Sequence, residues 1–139
     1  SFGAWTVMPT ADGSALIAMT SNDSLQGLGL YCFINTQRCV WFITLKLGCD
    51  KSNQYQVFAN SDLSGPAVLT LICVRAMGLA AFPGYYQYGF SDSDAINNLL
   101  RSSRHVAFAI ALEDARFLSA RFNLDGAHEA IANAQTQTY

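Results

Sequence analysis

The stretch CFINTQRC (residues 32–39) carries a cysteine at each end and polar residues in its middle. The residues on either side are mostly aromatic, aliphatic or β-branched, which favours strands. The stretch therefore predicts a β-hairpin with a two-residue turn at Asn35 and Thr36. In that register Cys32 lies directly opposite Cys39. Opposed Cβ atoms are roughly 4.5–5.5 Å apart, so a non-hydrogen-bonded pair could be bridged by a disulfide.

The chain contains four cysteines, and the other two are Cys49 and Cys73. Of the three pairings that four cysteines allow, the hairpin selects Cys32–Cys39, which leaves Cys49 to pair with Cys73. Zinc binding is disfavoured, because no CxxC pair occurs and both histidines are distant in sequence. Four reduced cysteines in a cytosolic protein are the alternative. Two disulfides in an oxidising compartment fit better, so we expect a periplasmic or secreted protein whose signal peptide has been removed.

Outward from the hairpin, apolar runs alternate with turn signals such as PTADG and SDLSGP. The predicted strands are 2–8, 14–21, 28–34, 39–47, 54–60, 67–75, 105–112 and 115–123. Stripes at alternate positions are predicted to line the core, namely Trp5 and Val7 in the first strand and Trp41, Ile43 and Leu45 in the fourth. The segment 76–90 contains glycines and a proline, and we interpret it as irregular.

Two short helices are predicted late in the chain. The first lies within 91–103, where Ser91 or Ser93 is a candidate N-cap. The second lies within 124–135, with Asp125 as its candidate cap. Because the sequence contains no linker and no internal repeat, we predict one domain, 1–139. Its predicted fold is mainly β, either a sandwich or a strongly curved antiparallel sheet of about eight strands.

The composition argues against two classes of protein, nucleic-acid binders and proteins with a transmembrane helix. The net charge is -2 and no two basic residues are adjacent, which argues against a nucleic-acid partner. No apolar run reaches the ~18 residues that a transmembrane helix needs. Charged residues make up only 13% of the chain, against roughly 25% in an average soluble domain.

The sequence offers no catalytic constellation. It contains no GxSxG elbow, and its cysteines are all assigned to disulfides. His105 begins a predicted strand, His128 and Glu129 are adjacent on a helix and point about 100° apart, and Glu113 and Asp114 fall in a turn. GLGL (27–30) enters a strand and therefore indicates no phosphate-binding loop. We predict no catalytic residue, metal or cofactor. A hydrolase stays the less favoured hypothesis, and it would gain if Glu113, Asp114 or His128 clustered in a cleft.

The stretch FPGYYQYGF (82–90) concentrates five aromatic residues in nine positions. They are Phe82, Tyr85, Tyr86, Tyr88 and Phe90. One interpretation is that these rings cover the end of the core. The other is a partner-binding surface, which the low content of charged residues favours because interface cores are depleted of charge. We predict that the tyrosines form part of such a surface.

The chain opens with SFGAWTV (1–7), and it ends with the predicted strands HVAFAIAL and ARFLSARFNL followed by DGAHEAI. The opening is similar to the F-G-x-W-x-V start of the invasion-associated locus B family of exported bacterial proteins, and the ending also resembles that family. The resemblance implies a β-sandwich-like exported protein that acts at the cell envelope or the host surface, and it carries no catalytic residues over.

Two functions follow as hypotheses. The first is an exported, non-enzymatic interaction protein with a protein partner, for which self-association is left open. The alternative is a periplasmic immunity or inhibitor protein that blocks a toxin or a hydrolase. Such proteins are also small, disulfide-linked and free of catalytic residues, so the sequence does not separate the two.

Overall fold

A computed structural model describes residues 1–63, 65–78, 80–101, 103–112 and 114–138. The strands are β1 (Thr6–Pro9), β2 (Ala15–Ser21), β3 (Gly27–Phe33), β4 (Cys39–Leu45), β5 (Gln54–Ser61), β6 (Ala67–Ala76), β7 (Tyr86–Phe90), β8 (His105–Ala111) and β9 (Phe117–Asn123). The helices are α1 (Ser93–Leu100) and α2 (Ala127–Thr138). These strands form one antiparallel sheet in the order β1-β2-β3-β4-β7-β6-β5-β8-β9.

The predicted mainly β fold with two late helices is confirmed, as a single curved sheet. All eight predicted strands are present; β1 begins four residues later than predicted, and the ends of the other seven differ by at most two residues. The ninth, β7, lies in the segment that we interpreted as irregular, and it occupies the centre of the sheet between β4 and β6. Both Gln87 and Tyr88 are buried, although they point to opposite faces. This strand therefore lacks the alternation of polar and apolar residues by which a half-buried strand is recognised.

The hairpin of β3 and β4 has the predicted register, with Cys32 opposite Cys39. The predicted two-residue turn is wrong. Phe33 and Arg38 close a four-residue loop, in which the Phe33 N–H donates to the Arg38 carbonyl at 2.8 Å. Gln37 ends the loop in the left-handed region at φ 55°. The Ile34 N–H donates to the Ser14 carbonyl at 3.0 Å, so Ile34 leaves the ladder and binds the neighbouring loop.

Both predicted disulfides are present. Cys32 is joined to Cys39 and Cys49 to Cys73, and the described residues contain no free cysteine. Cys49 lies in the segment that follows β4, whereas Cys73 lies in β6. Since β7 separates β4 from β6 in the sheet, this second disulfide connects parts of the chain on either side of the central strand.

The helices cover one face of the sheet, which we call the inner face. α2 packs against β1, β2 and β3, and α1 packs against β4, β5 and β6. The fully buried Trp5 meets Trp41 edge-to-face, with ring centroids 6.4 Å apart. The Trp41 indole N–H donates to the Asn97 side-chain oxygen at 2.7 Å, which ties the core to α1. Ile43 and Leu45 are also buried, and Val7 is partly buried against the same core, so the predicted core stripes are confirmed.

The N-cap of α1 is Asp92, whose carboxylate accepts from the Ala95 N–H at 3.1 Å. The prediction of Ser91 or Ser93 as the cap is wrong by one position in either direction. α2 begins after Gly126, and the Asp125 carbonyl accepts from the Ala4 N–H at 2.9 Å. Among the described residues, no helix has the length and apolar character that a membrane span requires.

The outer edge of β9 is covered by side chains from the first part of the chain. Three carbonyls at alternate positions of β9 accept hydrogen bonds in this way. The bonds are Gln26 Nε2 to the Ser119 carbonyl (3.2 Å), Asn22 Nδ2 to the Arg121 carbonyl (3.0 Å) and Trp5 Nε1 to the Asn123 carbonyl (3.0 Å). The sheet therefore curves so far that β9 approaches β2. The three side chains bind the β9 carbonyls that a further strand would otherwise bind.

Removing the Cys49–Cys73 disulfide by substituting both cysteines with alanine is expected to destabilise the protein more than removing Cys32–Cys39. The chain-entropy model gives roughly 3.5 kcal/mol for the longer loop and roughly 2.5 kcal/mol for the shorter one. Each pair contains one fully buried cysteine, Cys32 or Cys73, so the packing losses are matched. Urea unfolding of the two double variants measures the difference, and the opposite ranking would contradict the model.

Substituting Gln26→Leu keeps a side chain of similar size but removes the amide that binds the Ser119 carbonyl. Leaving that partly buried carbonyl unpaired is expected to cost about 1–3 kcal/mol of unfolding free energy. Amide hydrogen exchange in β9 should also become faster. Gln56→Leu, on the exposed surface of β5, is the matched control and should have little effect. Equal stability of the two variants would show that the side chain does not hold this edge.

Candidate functional site

The five aromatic residues of the stretch 82–90, which were predicted to form one surface, lie partly in the core and partly at the surface. Tyr88 and Phe90 lie in β7 on the inner face, and they are 0% and 7% exposed. The Tyr88 hydroxyl donates to the Leu47 carbonyl at 2.6 Å, and burial raises the pKa of this phenol, so it stays neutral. These two residues belong to the core, and their assignment to a partner-binding surface is corrected. Tyr86 is half-buried and packs against the same core.

The other two aromatic residues of the stretch lie at the surface. The rings of Phe82 and Tyr85 meet edge-to-face with centroids 5.8 Å apart. The Tyr85 hydroxyl donates to the Ser24 carbonyl at 2.9 Å, and the Tyr85 carbonyl accepts from the Met77 N–H at 2.9 Å. Their segment is therefore held against the loop between β2 and β3.

Phe82 and Tyr85 line one side of a groove with a volume of about 510 Å³ on the face of the sheet opposite the helices. We call it the outer groove. Its lining residues are Met8, Ile17, Met19, Ser21, Leu25, Gly27, Tyr31, Phe42, Thr44, Met77, Phe82 and Tyr85. None of them is charged, and they include all three methionines of the chain. The volume falls in the range of roughly 300–1,000 Å³ that is typical of ligand sites.

Two glycines of the GLGL stretch shape the floor of the outer groove. A Cβ on Gly29 would lie 2.7 Å from two ring atoms of Phe42 and from the Ala18 carbonyl oxygen. A Cβ on Gly27 would lie 2.7 Å from the Thr44 hydroxyl and 3.4 Å from the Met19 methyl. The Phe42 ring can cross β3 because no side chain stands there. The sequence contained this signal as glycines at alternate positions of a strand, which marks a close approach.

The rim of the outer groove carries a strained residue. Leu25 adopts φ 60° and is 56% exposed, an unusual combination for a large apolar side chain. Its N–H donates to the Asn22 carbonyl at 3.0 Å. The Asn22 side-chain oxygen accepts from the N–H groups of Ser24 and Gln26 at 3.1 Å and 3.0 Å. These bonds hold the loop so that the Leu25 side chain faces solvent beside the groove, and such strain is a reason to suspect function.

A second groove of about 730 Å³ adjoins the first and shares Tyr31 and Phe42 with it. Unlike the outer groove, it is lined by charged residues, Asp12 and Arg75. Hydrogen bonds from the Ser14 backbone and hydroxyl, and from the Thr10 hydroxyl, lower the pKa of Asp12 to about 2. Asp12 is therefore an anion throughout the neutral range, and of the two grooves only the second is lined by charged side chains.

The candidate catalytic residues lie away from the outer groove, and three of them, His105, His128 and Glu129, line one open groove of about 500 Å³. His105 Nδ1 is 3.6 Å from Asp62 Oδ2, and both side chains are exposed. His128 and Glu129 are exposed at the start of α2, near His105. Asp114 pairs with Arg116 in the turn at the opposite end of β8 and β9, and Glu113 lies outside the described residues. Asp114 thus lies apart from His128, and the hydrolase, which Glu113, Asp114 or His128 in a deep cleft would favour, stays a hypothesis.

The described part of the chain also contains no group of three or more His, Cys, Asp or Glu residues that could hold a metal ion. The outer groove itself offers no nucleophile–base pair, since its polar side chains are hydroxyls of serine, threonine and tyrosine. Its chemistry is that of a surface that receives apolar groups.

Substituting Gly29→Ala tests the floor of the outer groove. The new methyl group would clash with a backbone oxygen and with the Phe42 ring, so overpacking should cost about 1–3 kcal/mol of unfolding free energy. The control is Gly65→Ala, whose methyl group would meet nothing within 4 Å. The control should change stability by less than about 0.5 kcal/mol. Thermal unfolding compares the two, and a fully tolerated Gly29→Ala would show that the floor is not closely packed.

No protein-family model matches this sequence, and no curated protein matches it either. Among solved structures, the fold is similar to the crystal structure of invasion associated protein B from Bartonella henselae, with a TM-score of 0.67 and 16% sequence identity. The similarity covers 99% of this chain and 95% of that one. The resemblance that both ends of the sequence indicated is therefore confirmed at the level of the fold, which this chain shares over nearly its whole length with a bacterial invasion-associated protein.

Proposed function

We propose that this chain is an exported, non-enzymatic binding protein that receives an apolar anchor of a protein partner in the outer groove. The observation that carries the proposal is an uncharged groove whose rim exposes large apolar side chains. Met8 is 42%, Leu25 56% and Phe82 36% exposed. Contiguous exposed apolar surface on a small soluble domain is typical of an interaction site.

The residues that line the outer groove are suited to bind an apolar group that belongs to another molecule. Methionine side chains are flexible and polarizable, so Met8, Met19 and Met77 adapt to different apolar partners. The aromatic wall of Phe82 and Tyr85 is more rigid, because the hydroxyl of Tyr85 is hydrogen-bonded to the neighbouring loop. Rigid aromatic residues beside an adaptable floor resemble the centres of interfaces in which a few residues supply most of the binding free energy.

Two observations support the exported location that the proposal includes. The fold contains two disulfides, which persist in oxidising compartments. The fold is also similar to that of a protein named for its association with invasion. We therefore propose a role in the periplasm or outside the cell, at the envelope or the host surface. Fractionation of the native host tests this part, since finding the chain reduced in the cytoplasm would contradict it.

Substituting Phe82→Ala is expected to abolish capture of the partner while leaving the melting temperature nearly unchanged. Truncating a true anchor costs about 2 kcal/mol of binding or more, roughly a thirtyfold loss of affinity. The measurement is quantitative mass spectrometry of proteins that the oxidised, immobilised protein captures from envelope extract, followed by affinity measurement with the captured partner.

The matched control is Phe117→Ala, which truncates another exposed phenylalanine of the same sheet outside the outer groove. It should capture the partner as the unmodified protein does. Equal capture by both variants would move the binding surface away from the groove. A large drop in melting temperature for Phe82→Ala would assign that ring to the core.

A further inference from the structure

We propose that the element received by the outer groove is an extended protein segment in which a carboxylate lies within two residues of the apolar anchor, and that this carboxylate pairs with Lys46. The inference rests on the proposed function and adds the charge and the form of the partner. It depends on the position of Lys46, on the absence of charged residues from the lining of the outer groove and on the adjacency of the two grooves.

Lys46 lies beside the aromatic wall of the outer groove. It is exposed and follows Thr44, a lining residue, by two positions. A Cβ on Gly84 would lie 3.7 Å from Lys46 Cγ and 3.8 Å from Lys46 Cε. Because Gly84 directly precedes Tyr85, the lysine stem packs along the segment that carries the wall. The ammonium group at the end of this exposed stem can therefore reach a partner that lies in the groove beside Tyr85.

Among the described residues, no carboxylate forms an ion pair with this ammonium group. The ion pairs among those residues are His105–Asp62 and Arg116–Asp114, and neither involves Lys46. The lining of the groove contributes no charge of its own. A partner that places an acid at this end therefore gains an ion pair next to low-dielectric surface, whereas a partner that places a base there meets a like charge.

The form of the partner follows from the shape of the surface. The outer groove adjoins the second groove, with Tyr31 and Phe42 lining both, and Asp12 and Arg75 supply charged groups in the second. An extended segment that passes over these two rings can place its apolar side chain in the first groove and polar groups in the second. A single acyl chain with an anionic head could use only the first groove and Lys46, which makes it the competing occupant to be tested.

The experiment begins with selection of a displayed library of random 12-residue peptides on the oxidised protein, with counter-selection on the Phe82→Ala variant. We expect enriched peptides to carry a large apolar residue with Asp or Glu within two positions. Affinities of the enriched peptides are then measured for the unmodified protein and for Lys46→Glu. Charge reversal should weaken binding by about tenfold, and more salt should reduce the difference.

Two matched variants sharpen the measurement. Replacing the acid of each selected peptide by lysine should weaken binding to the unmodified protein and restore it to Lys46→Glu. Asp23→Asn removes an exposed acid from the loop that also carries Ser24 and Leu25, and it should not weaken binding. Laurate is added as a competitor, and dodecyltrimethylammonium is its cationic counterpart.

The outcomes separate the two proposals. If the selection without counter-selection yields binders and the counter-selection on Phe82→Ala removes all of them, these peptides do not need the groove, and the proposed function would be overturned. Peptides that need Phe82 but lack an acid, or that bind Lys46→Glu with unchanged affinity, would overturn the further inference and leave the groove as a binding site. If laurate binds in the groove while no peptide does, the occupant is an acyl chain, and both the segment and the protein partner are wrong.

Discussion

The fold depends on how the outer edge of β9 is satisfied. An edge strand presents a row of unpaired backbone groups, which either pair with another chain or must be covered. Here the indole of Trp5 and the amides of Asn22 and Gln26 bind three carbonyls of β9. Because these donors lie in the first 26 residues and β9 ends at Asn123, their bonds bring the beginning of the chain to its end. The nine-stranded sheet is thereby held in its curved form, and its inner face stays covered by the helices.

The same closure explains why short motifs at the two chain ends indicated the fold. The Ala4 N–H donates to the Asp125 carbonyl, so the opening FGAW meets the LDG step that precedes α2. A Cβ on Gly126 would lie 1.7 Å from the Phe2 carbonyl oxygen, and Gly126 has φ 85°. No residue other than glycine fits such an approach. The two motifs that resemble the invasion-associated locus B family are therefore two sides of one contact, whereas most of the sheet between them is constrained only to alternate apolar with polar residues.

The sequence predicted whatever depends on local pattern. The eight strands follow from β-favouring runs between turn signals, and the inner stripes from side chains at a period of two. The Cys32–Cys39 register follows from a hairpin loop centred on Asn35 and Thr36, although that loop is longer than predicted. β7 could not be recognised, because its position at the centre of the sheet buries Gln87 as well as Tyr88. For the same reason the aromatic stretch could not be divided into core and surface, since Tyr85 and Tyr88 differ in tertiary position and not in type. The outer groove was also invisible, because its lining comes from four strands and two loops that meet only in the folded sheet.

The polar hairpin loop and its two cysteines thus acquire a role in the site as well as in the fold. The disulfide lies on the inner side of β3 and β4, where Cys32 is fully buried. The outer sides of these same two strands carry Gly27, Phe42 and Thr44, which form the floor of the outer groove. A hairpin joined covalently at its end resists slippage of β3 against β4, and a slip by one residue would turn Phe42 toward the inner face. The disulfide therefore stabilises the register on which the apolar floor depends.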